Sequence, residues 1–260
     1  MNILIMGYGR MGRALKASWA LIDGIKVHSY DPYCNDVDCL HINSLSSSPV
    51  ENFDIVFFAV KPSIFEAAAE SLPFTVVTDN TIYLSIMAGV TTERLTKSLP
   101  DGSQIVRVMP NSAVLVQSGS TGLFSITISD YGHTVISKLF SQTGKHFWLN
   151  NESEMDLFTA ISGSGIAYYH YFSKLLSEFA ENKGLSKKVS KEIILSTISG
   201  AAKLQETSNE ELDILIAKVR SPAETTDAAL SVFENNFALK EMVNNSCDSA
   251  IKRSIELNVG

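Results

Sequence analysis

No run of basic residues occurs anywhere in the chain, and the 21 Lys and Arg are outnumbered by 28 Asp and Glu, a formal net charge of −7. Nucleic acid and anionic membrane surfaces reward clustered cations, so neither is an expected partner. Long hydrophobic runs are missing too. The longest, 55–60 and 83–90, fall far short of the roughly 20 residues that span a bilayer. Met1 leads straight into a strand-like segment rather than a leader, so a cytoplasmic location is expected. Cysteine is scarce: Cys34, Cys39 and Cys247 form no C-x-x-C pair, and an odd count supplies no disulfide framework. With His28 and His41, the first two match no common zinc spacing, and no metal is expected.

What is present is a chain of 260 residues, 45% hydrophobic and 19% charged, with ample core for two domains. Residues 3–6 form an apolar stretch without alternation, as in a strand buried on both faces of a parallel sheet. Gly7, Gly9 and Gly12 follow in G-x-G-x-x-G spacing, and then Ala14, Leu15, Ala17, Trp19 and Leu21 recur at helical intervals. A glycine-rich turn without a ligand is the competing interpretation, but the strand before it and the helix after it are the context a dinucleotide site requires. The first glycine permits the tight turn, the second lets a pyrophosphate approach the backbone, and the third lets helix and strand pack closely. Phosphate would rest on the helix N-terminus. Asp31, nineteen residues beyond Gly12, ends a second strand at 25–30. A carboxylate there would bond the adenosine ribose hydroxyls and favour NADH over NADPH, although Asp31 also opens an Asp-Pro turn.

Further strands are expected at 54–60, 81–86, 104–109, 121–126 and 147–149, a polar loop at 44–48, and helices after Pro62 and at 92–99 and 129–142. That alternation predicts an α/β, Rossmann-type doubly wound sheet over residues 1–151. Beyond it no convincing strand appears, and 152–260 is expected to be all-α. Ser153 with Asp156 and Ser208 with Glu211 resemble capping boxes, and Gly184 fits a helix-ending position. Ile193, Ile194, Ile198, Leu212, Ile214, Leu215 and Ile216 supply more apolar surface than a helical domain of this size can bury alone, which predicts a homodimer. Two segments look like loops, Ser162-Gly163-Ser164-Gly165 and Ser221-Pro222-Ala223-Glu224-Thr225-Thr226. Glycine costs about 1 kcal/mol against alanine inside a helix, so either close approach by a ligand or close helix packing is needed to explain the first.

Taken in order, the glycine loop, Ala59-Val60-Lys61-Pro62, Arg107-Val108-Met109-Pro110-Asn111, Ala160-Ile161-Ser162-Gly163-Ser164-Gly165, Gly200-Ala201-Ala202-Lys203 and the Ser-Pro…Thr-Thr segment resemble the pyrroline-5-carboxylate reductase family over nearly the whole chain. The resemblance implies reduction of 1-pyrroline-5-carboxylate, a cyclic imino acid, to L-proline with NAD(P)H. It also implies a helical domain that interlocks two subunits with active sites at that interface, and in some members dimers assemble further into decamers. By position it makes Gly7, Tyr8, Gly9, Arg10 and Met11 the pyrophosphate loop, Ala59, Val60, Lys61 and Pro62 the edge of the cofactor site, and Met109, Pro110 and Asn111 neighbours of the nicotinamide. Asn111 would reach the substrate as well. Thr226, following Thr225, would set its hydroxyl at the ring nitrogen, and Ser164, Gly165 and the backbone near Ser221 would receive the carboxylate. His170 follows Tyr168 and Tyr169 and reads as an interfacial rather than a catalytic histidine.

The chain departs from the family pattern at Ile166, at Ser112-Ala113 and at Ala223-Glu224, where the family carries Pro, Thr-Pro and Gly-Gly. Glu224 puts a carboxylate where an anionic substrate would approach, and a pair with Lys174 would offset it. Two alternatives stay open on these residues. One is a catalytically weak or dead nucleotide-binding paralogue that serves as a dimeric scaffold. The other is a related dehydrogenase of hydroxy acids or prephenate-like acids, which would need a basic or histidine residue on the helix linking the domains.

Overall fold

A computed structural model describes residues 1–34, 39–40 and 52–258. The polar loop expected at 44–48, and His41, lie outside the described residues. Among the described residues eight strands form one sheet: β1 (Asn2–Met6), β2 (Lys26–Tyr30), β3 (Cys39–Leu40), β4 (Ile55–Phe58), β5 (Ile82–Ser85), β6 (Gln104–Pro110), β7 (Gly119–Phe124) and β8 (Gly144–Trp148). Their order across the sheet is β3-β2-β1-β4-β5-β6-β7-β8. Strands β1 to β6 run parallel; β7 is antiparallel to β6, and β8 runs parallel to β7. The order reverses at β1, so the crevice at that strand's carboxyl end is the natural ligand site of an open α/β sheet.

The non-alternating strands are explained by burial on both faces. Ile3, Ile5, Ile55 and Phe57 pack on one side with Leu15, Trp19 and Phe140. On the other side Leu4, Met6, Val56 and Phe58 pack with Phe65, Val90 and Leu95. The helices that cover the sheet are α1 (Arg10–Trp19), α2 (Phe65–Glu70), α3 (Thr92–Ser98) and α4 (Asp130–Ser141). Pro62 opens a short 3-10 turn, Pro62–Ile64, ahead of α2, as its fixed φ and missing N–H allow.

After β8 come α5 (Glu154–Phe158), a π turn (Thr159–Gly163), α6 (Gly165–Asn182), α7 (Lys187–Thr207), α8 (Leu212–Val219), α9 (Thr225–Glu234) and α10 (Ala238–Asn258). The chain divides into two compact units, Met1–Ile166 with Ala250–Gly260, and Ala167–Ser249. This division falls later than the sequence boundary at 151/152, because Met155 packs with Met109 and Phe124, and Gly122 leaves room for the ring of Phe158. Residues near 250–258 belong with the sheet as well: the Ser254 hydroxyl donates to Asp156 at 2.6 Å, and a Cβ on Gly89 would strike the Leu257 carbonyl.

Neither expected capping box forms. Ser153 has helical backbone angles and makes no cap, while Glu154 turns back to the Asn150 amide at 2.9 Å. Ser208 instead ends α7, and Glu211 is the N-cap of α8. Gly184 behaves as expected: at φ +101° it closes α6 with the Leu185 amide donating to Ala180 and its own amide to Glu181, the paired bonds of a Schellman motif.

Candidate active site

The three glycines divide the labour that the motif requires. Gly7 turns at φ +99°, donates its N–H to the Tyr30 carbonyl at 2.8 Å, and leaves so little room that a Cβ would lie 2.7 Å from the Ala59 oxygen. A Cβ on Gly12 would hit the Gly7 carbonyl, so helix α1 and strand β1 can approach only because Gly12 has none. At Gly9, by contrast, a Cβ would meet nothing within 4 Å. Gly9 is also the N-cap of α1, no side chain caps that helix, and its first turn, which begins with Arg10 and Met11, contains no acid. The first turn of α1 therefore has the sign of field that holds a pyrophosphate, uncountered by an acid of its own. These residues fit a dinucleotide.

Asp31 makes the expected turn and also reaches the glycine loop. One carboxylate oxygen accepts the Tyr8 N–H at 2.9 Å, which fixes it beside the glycine loop; the other accepts the Tyr33 N–H at 3.0 Å, an Asx turn across Pro32. A carboxylate has about four acceptor positions, so ribose hydroxyls can still be bonded. The structure adds Arg13, which the pattern did not single out. Its guanidinium lies 4.5 Å above the Tyr8 ring, and its Nε donates to the Tyr8 carbonyl at 3.0 Å.

Ala59, bonded through its amide to Met6, and half-buried Val60 follow β4, and exposed Lys61 leads into Pro62. Met109 and Pro110 end β6 on the same edge. Asn111, 6% exposed, has duties the sequence reading missed. Its Oδ1 accepts the Ala113 and Ser120 amides at 3.1 and 3.2 Å, and its Nδ2 donates to the Ser162 hydroxyl at 3.3 Å. An Asn before the short helix Ser112–Val116 was the available signal for the cap.

Ser162 to Gly165 is not a loop. Ser164 donates its amide to Thr159 at 2.8 Å, an i to i+5 bond that widens the helix into a π turn, a feature that frequently marks functional positions. A Cβ on Gly165 would meet nothing within 4 Å, so packing inside this chain does not account for that glycine. Ahead of the turn, Arg107, 4% exposed, donates to Glu152 at 2.8 Å. Both carboxylate oxygens of Glu152 are held by Thr92, through its amide at 2.6 Å and its hydroxyl at 2.8 Å. Burial alone would raise the carboxyl pKa, but these hydrogen bonds and the guanidinium charge outweigh it and hold Glu152 below the ordinary range.

In the helical unit, Ser221 to Glu224 form a turn closed by the Glu224 amide on the Ser221 carbonyl at 3.2 Å. Glu224 is exposed and occupies the N-cap of α9 without capping it. Lys174 pairs at 3.5 Å with Glu178, one helical turn away, not with Glu224. Thr225 is exposed and Thr226 half-buried. His170 is exposed within the chain. Residues 154–166 contain no His, Lys or Arg, and α6, which crosses the boundary between the units, carries His170, exposed, and Lys174, paired with Glu178.

Comparison with known proteins settles the family. Residues 152–257 match the family described as pyrroline-5-carboxylate reductase dimerisation. Pyrroline-5-carboxylate reductase 1 of Bacillus spizizenii is 31% identical over 80% of this chain and 70% of its own length. The Pseudomonas aeruginosa pyrroline-5-carboxylate reductase is 32% identical over 82% and 77%. The chain belongs to the pyrroline-5-carboxylate reductase family. Among solved structures, the Plasmodium falciparum pyrroline carboxylate reductase with NADP bound superposes with a TM-score of 0.87 at 27% identity, covering 99% of this chain and 98% of that one. Similarity to this reductase family thus extends over the sheet and the helices alike.

Proposed function

We infer that the protein is an NAD(P)H-dependent oxidoreductase that reduces 1-pyrroline-5-carboxylate to L-proline, the last step of proline biosynthesis. The observation that carries this is the glycine loop ahead of α1, where a Cβ on Gly9 would meet no atom of the described residues within 4 Å and no side chain caps the helix, in a chain that belongs to the pyrroline-5-carboxylate reductase family. Reduced nicotinamide, when bound, supplies the hydride. The chain's part is orientation: a ring protonated on nitrogen needs no dedicated acid, so fixing it against the cofactor supplies much of the rate.

Gly7 through Met11 cradle the pyrophosphate, with Gly12 letting α1 pack close behind them, Ala59 to Pro62 line the cofactor's edge, and Met109, Pro110 and Asn111 flank the nicotinamide. The Thr226 hydroxyl holds the ring nitrogen, while Ser164, Gly165, Thr225 and the backbone at Ser221 receive the carboxylate. Glu224 points away as an acid at a helix start, where the dipole favours it. Residues 152–260 act as the dimerisation and substrate domain of a cytoplasmic homodimer, with a decamer as its higher assembly. Among the described residues no helix is long and apolar enough to cross a membrane.

Turnover of pyrroline-5-carboxylate by the purified protein is the test. Thr226→Ala should lower kcat/KM about 30-fold, the worth of one hydrogen bond to a charged group, whereas Glu224→Gly should change KM less than tenfold. If the parent is inactive and Glu224→Gly restores activity, the scaffold reading takes over. NADH is the preferred cofactor, because the Asp31 carboxylate would repel a 2′-phosphate and Arg13 is already engaged by Tyr8. Kinetics with both cofactors decide it: a tenfold preference for NADPH, about 1.4 kcal/mol the other way, refutes the assignment.

A further inference from the structure

Ala223 has φ +61°, a left-handed conformation that residues with a Cβ seldom adopt and that persists only where the surroundings enforce it. The family carries glycine here, for which the same conformation is free. Something in this chain must hold the turn, and the structure shows what does. The Ala223 amide donates to Asp227 at 3.0 Å. The other Asp227 oxygen accepts the Arg220 Nε at 2.8 Å, and the two terminal nitrogens of Arg220 fork onto both oxygens of Glu234 at 2.8 and 3.1 Å. Asp227 and Glu234 are two turns apart on one face of α9 and so can share a single guanidinium. Hydrogen bonding to Arg220, and then to the Ala223 amide, holds the Asp227 carboxyl below its ordinary pKa, so it is the charged form that grips the turn.

We infer that Arg220, Asp227 and Glu234 form a positioning clamp that does by charge what a glycine pair does by freedom: it fixes the Ser221–Thr226 turn so that the Thr226 hydroxyl presents one orientation to the imino acid. The planar fork of arginine suits this task, since it engages two carboxylates at defined angles. None of the three touches the substrate; they act through the backbone of Ala223 and the first turn of α9. The inference rests on the role proposed above for Thr226.

The test is a double-mutant comparison on the full chain, in which Asp227→Asn is made in the parent and in an Ala223→Gly background. In the parent the KM for the imino acid should rise at least fivefold while the KM for the nicotinamide cofactor stays within twofold. In the Ala223→Gly background, where the left-handed turn needs no enforcement, the same change should cost less than twofold. Equal losses in both backgrounds, or none in the parent, overturn the clamp. A merely structural role would weaken both variants alike and would not be rescued by glycine. Should Asp227→Asn fail to fold, Arg220→Lys, which keeps the charge and loses the fork, is compared in the same two backgrounds with the same thresholds. Failure of the clamp is distinct from failure of the Thr226 assignment. If Thr226→Ala lowers kcat/KM by the expected factor and the clamp variants do nothing, only the clamp is wrong; if Thr226→Ala leaves kcat/KM unchanged, the assignment beneath it is wrong.

Discussion

In the sheet unit, Ile3, Ile5, Trp19, Phe57 and Phe58 are wholly excluded from solvent, whereas among the described residues of Ala167–Ser249 no hydrophobic side chain is buried. Helix α6 illustrates the contrast. Along its length Tyr169, Tyr171 and Phe179 remain more than 60% exposed, although each could bury on the order of 150–250 Å². One unit has finished burying its apolar surface and the other has not. A polypeptide whose helices hold this much uncovered aromatic and aliphatic surface needs a second surface to fold against, and the dimerisation family that matches 152–257 says what kind. Stability of the first unit should thus be a property of the chain, and stability of the second a property of its concentration.

The sharpest way to break this contrast is to injure each unit and vary the protein concentration. Phe57 is fully buried and meets Trp19 edge-on at 5.3 Å; Phe57→Ala should cost about 3–5 kcal/mol, the same at every concentration. Chemical denaturation at two concentrations a hundredfold apart checks it, and a concentration-dependent loss would erase the distinction between the units.

Next in size is Glu152. Removing it leaves Arg107 buried without its counter-charge, so Glu152→Ala should destabilise by about 2–3 kcal/mol at pH 7. Because the folded-state pKa is depressed, this stabilisation is fully present above the ordinary carboxylate range and is lost as pH falls through the folded value. Parent and variant should therefore converge on acidification. Melting curves from pH 7 to pH 3 in which the gap stays constant would show that the ion pair is not its source.

The smallest expected effect belongs to the helical unit. Leu212 is 56% exposed, and Leu212→Ser should leave the fold intact at high concentration but weaken the dimer at least tenfold, about 1.4 kcal/mol. Sedimentation across nanomolar to micromolar protein reads this directly; an unchanged association with a lowered melting point would place Leu212 in a core after all.

Legibility followed locality. The glycine loop could be read because strand, turn and helix lie within about a dozen residues and each glycine answers a separate steric demand. The doubly wound sheet was legible for the same reason, since its strands are buried on both faces and so lack alternation. The π turn was not: its whole signature is one hydrogen bond from Ser164 to Thr159, and Ser-Gly-Ser-Gly reads equally as a loop. Nor could Asn111 be paired with Ser162, 51 residues away, without coordinates. Asp31 was half legible, because the turn and the ribose position ask for the same side chain and the structure uses it for the turn and the glycine loop together. The capping boxes failed for two local reasons: Ser153 stands directly before α5 but has helical backbone angles and makes no cap, whereas Ser208 ends α7 and the next helix begins only at Leu212.

The return of α10 to the sheet unit has a consequence for how the molecule is made. Strand β8 ends at Trp148, yet the contacts that secure Gly89 and Asp156 wait for residues 254–257. A ribosome adding about 5–20 residues per second needs roughly 5–20 seconds more to supply them. Through that interval the nascent sheet unit can bury its core, but the loop at Gly89 and the start of α5 stay unclasped. The last fastening of the nucleotide-binding half is thus delivered after the helical half has been synthesised, so the two halves are produced in sequence and completed together.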